Sequence, residues 1–528
     1  MRLRVGFLRV IAATVGVLSI GYAQDARPAP DRLPHRLRFT VSPQTTAIVA
    51  VDEDGYPDYL TVLMEQSRRG ATSDNNAVRA LLLTMPRDLS TQAYLPLIEA
   101  ELEIDEQDVR QEFSKFSLFV AATRKERIVA ITNQLTQQES LAAHRPWLAT
   151  EFPILAEWLE YNREALDAAV QAATLTHWYS PPVVVALPAV TNCPLPAASH
   201  ALLLTRGLRL RALLQIAMRE VDAAWDDILA IHSLALLTSK GPFLTERYIG
   251  GLIEQQAAIP EAFLLQSPAL TSRIVQRIRT ELSQVPPLPD FHAALTTGER
   301  YRLLDLVASI SRYGMKWDLD HDPLLRNVLN FAFVRLVNWN TVLQDMNRHL
   351  DQVVRFSQIE DYRKRTAALY DYNIELRTIY ANRFGLHYWA HQNLRVPHIL
   401  RQKLTIWVSD ILASLFIPDF EPLSRQQGIC LTQQDVGKVG WALKAYHFEQ
   451  NNYPAELKSL VPKYLPEIPL DRMTNQPLLY ESDGKQFVVQ SLGLNQIDDL
   501  KRSLGKQSAD DILLRSHARE DFHAPPNR

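Results

Sequence analysis

Cysteine is nearly absent from this 528-residue chain, which has only Cys193 and Cys430. Two thiols exclude a disulfide-dense scaffold and any four-cysteine zinc site. They leave two readings open: one bridge closing a very long loop, worth about 4 to 5 kcal/mol in the chain-entropy model, or two separate buried thiols. An excess of one charge is missing as well, since 56 Lys+Arg stand against 59 Asp+Glu. Without a whole-chain basic field, nucleic acid is not an expected partner. Beyond the N-terminus there is no apolar run approaching the roughly 20 residues that cross a bilayer, so no integral membrane span is expected there. A Ser between glycines, a Gly-rich phosphate loop and a Cys with a positioned His are also lacking, and Gly250-Gly251 falls inside helical sequence. These gaps remove the common nucleophile and nucleotide signatures.

What the chain does have is apolar mass, 47% of its residues, enough for a large core and two or more domains. Arg2, Arg4 and Arg9 precede the apolar stretch Val10 to Ile20, with small residues at Gly21 and Ala23. This is the pattern of an export signal cleaved after Ala23, or retained as an N-terminal anchor. The Pro- and Arg-rich stretch from Gln24 reads as a linker. A short β-like run, Thr45 to Val51, leads into the turn Asp52 to Gly55. Apolar residues at three- and four-residue steps then predict helices over Tyr59–Arg68, Asn76–Met85, Asp108–Phe119, Arg124–Gln138 and Ile154–Ala173, with Asp74 and Asn75 as N-caps. A Pro-rich crossing from Tyr179 to Pro196 follows. Further helices are predicted over Ala201–Lys240 (with a turn at Arg219–Ala224), Tyr248–Gln256, Ser272–Leu282, Glu299–Ser311, Pro323–Phe356 and Gln358–Arg383. Val221 to Asp227 resembles the second helix of a tetratricopeptide pair, but no second copy recurs at a fixed spacing. Trp147, Trp158, Trp178 and Trp225 read as core anchors, with the lining of a ligand groove as the alternative.

Between Glu421 and Cys430 the composition turns polar, which predicts a domain boundary. Beyond it come a helix over Val436–Asn451 ended by Asn452-Tyr453-Pro454, a short helix over Leu457–Tyr464, and β-like runs Pro477–Ser482 and Gln486–Ser491 joined by Asp483-Gly484. From Ala442-Leu443-Lys444-Ala445-Tyr446, through Asn452-Tyr453-Pro454, Leu457 to Pro462, Tyr464-Leu465-Pro466 and Pro469-Leu470-Asp471, to Phe487–Gly493, this stretch resembles the globular domain of the type II secretion major pseudopilin. The N-terminus departs from a prepilin: Gly6-Phe7 is followed by Ile11 where the mature pseudopilin helix keeps a Glu. Assembly as a pilus subunit is therefore not expected. The chain is more similar to exported bacterial proteins that set a long helical domain before such a module.

The fold class expected is mainly α, an irregular helical bundle or solenoid followed by a small α+β pseudopilin-like domain. The expected limits are a signal peptide at 1–23, a linker at 24–44, the helical domain at 45–425, the pseudopilin-like domain at 432–515 and a tail at 516–528. The resemblance also implies a calcium loop, here with Asn495, Asp498, Asp499 and Asp511 as oxygen donors, although Asn495 stands where an Asp is usual. Two other clusters have metal-ligand residue types. His387 and His391 share a helix face, and Asp318, Asp320, His321 and Asp322 precede Pro323 in a turn. Packing or surface roles for the histidines, and a turn with Asp322 capping the next helix for the acidic cluster, are the favoured readings.

The function expected is that of an exported, non-enzymatic scaffold or partner-binding protein of the cell envelope, with an envelope protein as partner. The alternative is a periplasmic hydrolase or metal-dependent enzyme with its site in the helical domain. A pocket with convergent His and carboxylate groups of shifted pKa favours the enzyme; a shallow uncharged surface favours the scaffold.

Overall fold

The computed structural model describes residues 38–123, 135, 137–184, 190–313, 334–383, 397–493 and 512–516. The chain is mainly helical, with a small antiparallel sheet region near the C-terminus. The first helices are α1 (Tyr59–Arg68), α2 (Ala77–Leu82), α3 (Leu95–Glu101), α4 (Phe116–Thr123), α5 (Pro153–Tyr161), α6 (Arg163–Ala172), α7 (Pro196–Ala217) and α8 (Val221–Thr238). They continue with α9 (Leu244–Leu265), α10 (Ser272–Gln284), α11 (His292–Thr296), α12 (Gly298–Tyr313), α13 (Trp339–Ser357), α14 (Tyr362–Arg383), α15 (Pro397–Phe416) and α16 (Glu421–Gln450). None of the described helices is long and apolar enough to cross a membrane.

Two hydrophobic cores result. The first collects α2 to α10, the C-terminal part of α16 and the strands beyond it. The second collects residues 39–63, Val190 and the helices from Phe291 to Phe420. Cys193 packs against the second core and Cys430 lies inside the first, so no disulfide joins them and the bridged reading does not hold. The four anchor tryptophans Trp147, Trp158, Trp178 and Trp225 are all buried in the first core.

Local chemistry explains where the elements depart from sequence periodicity. The β-like run at Thr45–Val51 is a set of turns closed by Thr45 and Thr46 hydroxyls, with Ala47 at φ 61°. Only one isolated bridge, Val51 to Pro57, remains of it. The cap of α2 is Asn76, whose side chain accepts from Val78 N–H at 3.1 Å, while Asn75 instead accepts from Thr72 N–H. The helix predicted over Asp108–Phe119 begins only at Phe116, because Arg110 and Phe113 N–H groups donate to Leu83 and Thr84 carbonyls. Ile154–Ala173 divides at Asn162, whose buried side chain accepts from Ser114 N–H at 2.7 Å. α9 runs well past the predicted Gln256 and carries Pro260 inside it. The missing proline N–H leaves the Gln256 carbonyl without its helical donor.

The polar stretch Glu421–Cys430 forms the first turns of the continuous 30-residue helix α16. Its glutamines and serine are polar because they bridge the two cores. Gln426 donates to Tyr248 O at 3.2 Å, Gln427 to Pro289 O at 3.3 Å, and Ser424 pairs with Thr366 at 3.0 Å. Asn451 in the left-handed region ends α16. A 3-10 turn at Leu457–Leu460 follows, then the pair β1 (Leu470–Asp471) and β2 (Gln476–Pro477). Last comes the antiparallel sheet β3 (Leu479–Ser482), β4 (Phe487–Ser491) and β5 (Ile512–Arg515). The Asp483-Gly484 hairpin forms as predicted, with Gly484 at φ 84°.

Candidate functional site

α8 is buried almost all round, since α7, α8 and α9 pack on one another. From Ile228 to Leu237 its side chains are apolar apart from His232 and Ser233. His232 is therefore carried into the core, where it is 4% exposed. α9 supplies its partners. Glu246 accepts from Phe243 N–H at 3.2 Å and from Trp178 Nε1 at 2.8 Å, fixing the start of that helix. Burial pushes the Glu246 carboxyl up to about 7, against those two donors. Two turns apart further along α9, Glu254 and Glu261 share one face.

Glu254 Oε1 lies 2.8 Å from His232 Nδ1, and Glu261 Oε2 lies 3.7 Å from Nε2. Burial works against a charged ring, yet the two carboxylates outweigh it and push His232 up to about 10. The charged form of the imidazole is thus favoured between the two side chains. Trp441 on α16 donates from Nε1 to Glu261 Oε1 at 2.6 Å. The same indole meets Trp225 edge-on at 6.1 Å. A Cβ at Gly437 would stand 3.0 Å from Glu261 Oε1, so glycine there lets α16 approach the carboxylate.

Beside this cluster lies a cavity of about 550 Å³, within the range of small-molecule sites. α9, α16 and β5 form its walls, with His232 reaching it from α8. Its apolar surface comes from residues such as Ile259, Phe263, Val436 and Leu514. Glu254 is 3% exposed and lines it. Its Oε2, together with His232 Nε2, Gln433 Oε1 and Arg515 Nε in the same lining, is buried without a hydrogen-bond partner.

Asn495, Asp498, Asp499 and Asp511 fall outside the described residues, as do His387, His391, Asp318, Asp320, His321 and Asp322. Among the described residues no three His, Cys, Asp or Glu are grouped to hold a metal ion. His232, Glu254 and Glu261 do not converge on a point because the ring stands between the carboxylates. Burial and the nearby Asp305 push the Cys193 thiol up to about 12, and burial raises Cys430 as well. Neither is a ready thiolate. Sequence reasoning missed the cluster. The available signal was a histidine alone in an apolar helix, with two glutamates seven residues apart in the next one. Comparison of the chain with protein-family models, curated proteins and solved structures finds no match to any of them.

Proposed function

We propose that the protein is an exported, non-enzymatic binding protein of the cell envelope, with its ligand site in the cavity between α9, α16 and β5. The observation that carries this is the buried Glu254 carboxylate with one oxygen unpartnered in the wall of a 550 Å³ cavity. A buried polar atom without a partner is costly, so a ligand donor reaching it gains more than it would at a wet surface.

The pocket also has the His and carboxylate groups that favour a hydrolase, and this is the reason to keep that second reading. The direction of the histidine shift speaks for binding. A general base works best with a pKa near the working pH, whereas the two carboxylates keep His232 protonated there.

Export is part of the same reading, supported by Arg2, Arg4, Arg9 and the apolar stretch to Ile20. The pseudopilin-like reading of the C-terminal module draws support from its order of long helix, 3-10 turn and antiparallel strands. In this view the module closes the cavity and presents a surface to an envelope partner.

Native mass spectrometry of protein purified from the envelope fraction tests both parts. The expected result is a mature N-terminus near Gln24 and a small molecule released on denaturation. Filling the cavity with Ala258→Phe and Ala262→Phe, both half-buried in its wall, should abolish that adduct in a protein that still melts cooperatively. An intact Met1 in soluble cytoplasm overturns export. An adduct that survives in the filled variant overturns the site.

A further inference from the structure

β5 ends the strand order β3-β4-β5, so among the described residues one of its edges has no strand beside it. The register decides which backbone groups that edge presents. Ser516 N–H donates to Phe487 O at 3.1 Å, in the same register as Leu514 with Val489 and Ile512 with Ser491. Bonded and non-bonded pairs alternate along an antiparallel ladder, so Leu514 and Ile512 bond to β4. Leu513 and Arg515, opposite Gln490 and Val488, turn their N–H and C=O groups away from it. From that outer side the Arg515 carbonyl accepts from Nε2 of Gln266, the C-cap of α9, at 3.2 Å. Leu513 N–H and C=O and Arg515 N–H have no partner among the described residues. All four β5 residues and Gln266 line the 550 Å³ cavity, so this unpaired edge is part of its wall. We infer that the cavity binds a short free peptide, three or four residues long, that adds to β5 as a further strand and lays apolar side chains against Ile259, Phe263 and Val436. The inference rests on the reading of the cavity as a binding site and names its ligand class.

Each part of the ligand answers one feature. Leu513 offers a donor and an acceptor from a single residue, and one residue of an opposed strand matches both with its own C=O and N–H. An alcohol or a hydrocarbon fills the apolar wall but cannot reproduce that pair at strand spacing. Backbone groups left unmatched in an apolar wall are costly, and strand addition satisfies them. Glu254 already has His232 as its counter-charge at 2.8 Å, so the ligand needs no charge of its own. The strand is held in place from its other face, where the glycine at 440 lets Leu514 pack onto α16. β5 has four residues, about 13 Å of edge at a strand rise near 3.3 Å, which limits the pairing to a few residues. The apolar wall takes the side chains by ordinary burial.

Calorimetric titration of the full mature protein at pH 7 tests this with acetyl-Leu-Thr-Leu-Thr-amide, each of its single N-methyl derivatives, and 1-octanol. Both peptide ends are capped, so binding reads backbone and side chains and no terminal charge. Strand addition gives a period of two. N-methylation where the peptide N–H meets β5 should weaken binding about tenfold, the scale of one hydrogen bond, and at the alternate residues should leave it unchanged. Leu513→Pro removes the cavity-side N–H and spares the ladder to β4, because an edge strand tolerates proline where the N–H points away from the sheet. Compared with Leu513→Ala, which loses the same side chain but keeps the N–H, it should weaken the peptide about tenfold and leave 1-octanol unchanged. If the proline variant fails to fold, amide exchange in the wild type decides. Saturating peptide should slow the Leu513 and Arg515 amides and leave Leu514 as it was, and no slowing overturns the pairing. A uniform loss or no loss along the N-methyl series, with 1-octanol binding blocked by Ala258→Phe, overturns the ligand class while the site stands. Binding of neither peptide nor 1-octanol overturns the site itself.

Discussion

Among the described residues the first core holds two buried histidines with opposite fates, His200 on α7 and His232 on α8. His200 meets a neutral hydroxyl, Thr84 Oγ1, at 3.0 Å, and packs edge-on to Phe113. Burial, with a smaller push from Lys115, lowers its pKa to about 3, so the ring is neutral. His232 bonds to the Glu254 carboxylate through Nδ1, has Glu261 3.7 Å from Nε2 without a hydrogen bond, and is raised to the charged form. Equal burial thus gives opposite charge, and the partners decide which. Only the charged one sits beside a cavity and a partnerless oxygen, which is why the candidate site is built at His232.

The comparison breaks most sharply if the imidazolium is removed. His232→Leu strands Glu254 and Glu261 in the core, and losing one partner of a buried ionic cluster costs about 3 to 5 kcal/mol. Urea unfolding at pH 7 should show a loss of that size. A loss below about 1 kcal/mol, the level of a surface pair, would mean that the carboxylates reach water. The companion triple variant His232→Leu, Glu254→Leu, Glu261→Gln should recover most of the loss, since apolar replacement of a whole ionic cluster is often neutral. It should also forfeit any ligand.

The wild-type protein carries the next effect in its alkaline limb. A histidine raised from an ordinary value near 6.5 to about 10 stabilises the fold fully below pH 6.5. That contribution is lost as pH rises toward 10, because the folded state binds the extra proton. Unfolding free energy should fall by a few kcal/mol, on the order of the cluster's coupling, and the histidine-free triple variant should lack this limb. Parallel pH profiles for the two proteins would leave His232 uncharged in the fold.

Much of this architecture is readable in sequence, and its limits have physical causes. α1, α10 and the DG hairpin follow from period and turn chemistry alone. Asn162 divides a helix because its side chain serves Ser114, a contact 48 residues away that no local pattern shows. The polar stretch read as a domain boundary forms the start of α16, where Gln426 and Gln427 bond to the Tyr248 and Pro289 carbonyls. The site is hidden for a similar reason. His232, Glu254, Glu261 and Trp441 meet through the packing of three helices, and each alone reads as an ordinary helical residue. The acidic and histidine clusters that drew attention in sequence lie outside the described residues.

An intermediate loss is expected where α16 meets the cluster. Trp441→Phe keeps the aromatic contact with Trp225 but removes the 2.6 Å donor to Glu261. A buried acceptor left short of one donor costs about 1 to 3 kcal/mol. Thermal unfolding at pH 7 measures it, and an unchanged melting temperature would mean that Glu261 finds a replacement donor.

The smallest effect at neutral pH belongs to the other histidine, and its sign with pH is the reverse. Replacing His200 by Leu removes a neutral ring whose partner, Thr84, keeps its own bond to the Leu81 carbonyl at 3.0 Å. No charge is stranded and no donor is orphaned, so the cost at pH 7 should stay within about 1 kcal/mol. Acid separates the proteins. A histidine lowered from about 6.5 to about 3 gives the wild type stability that is present above pH 6.5 and lost as pH falls toward 3, because the unfolded chain takes up the proton first. The unfolded His200→Leu chain has no such site to protonate, so its deficit should shrink and then invert as the pH is lowered through 5. Urea midpoints at pH 7, 5 and 4 read this directly. If the variant instead loses ground in acid, His200 is protonated in the folded core, and the contrast with His232 fails.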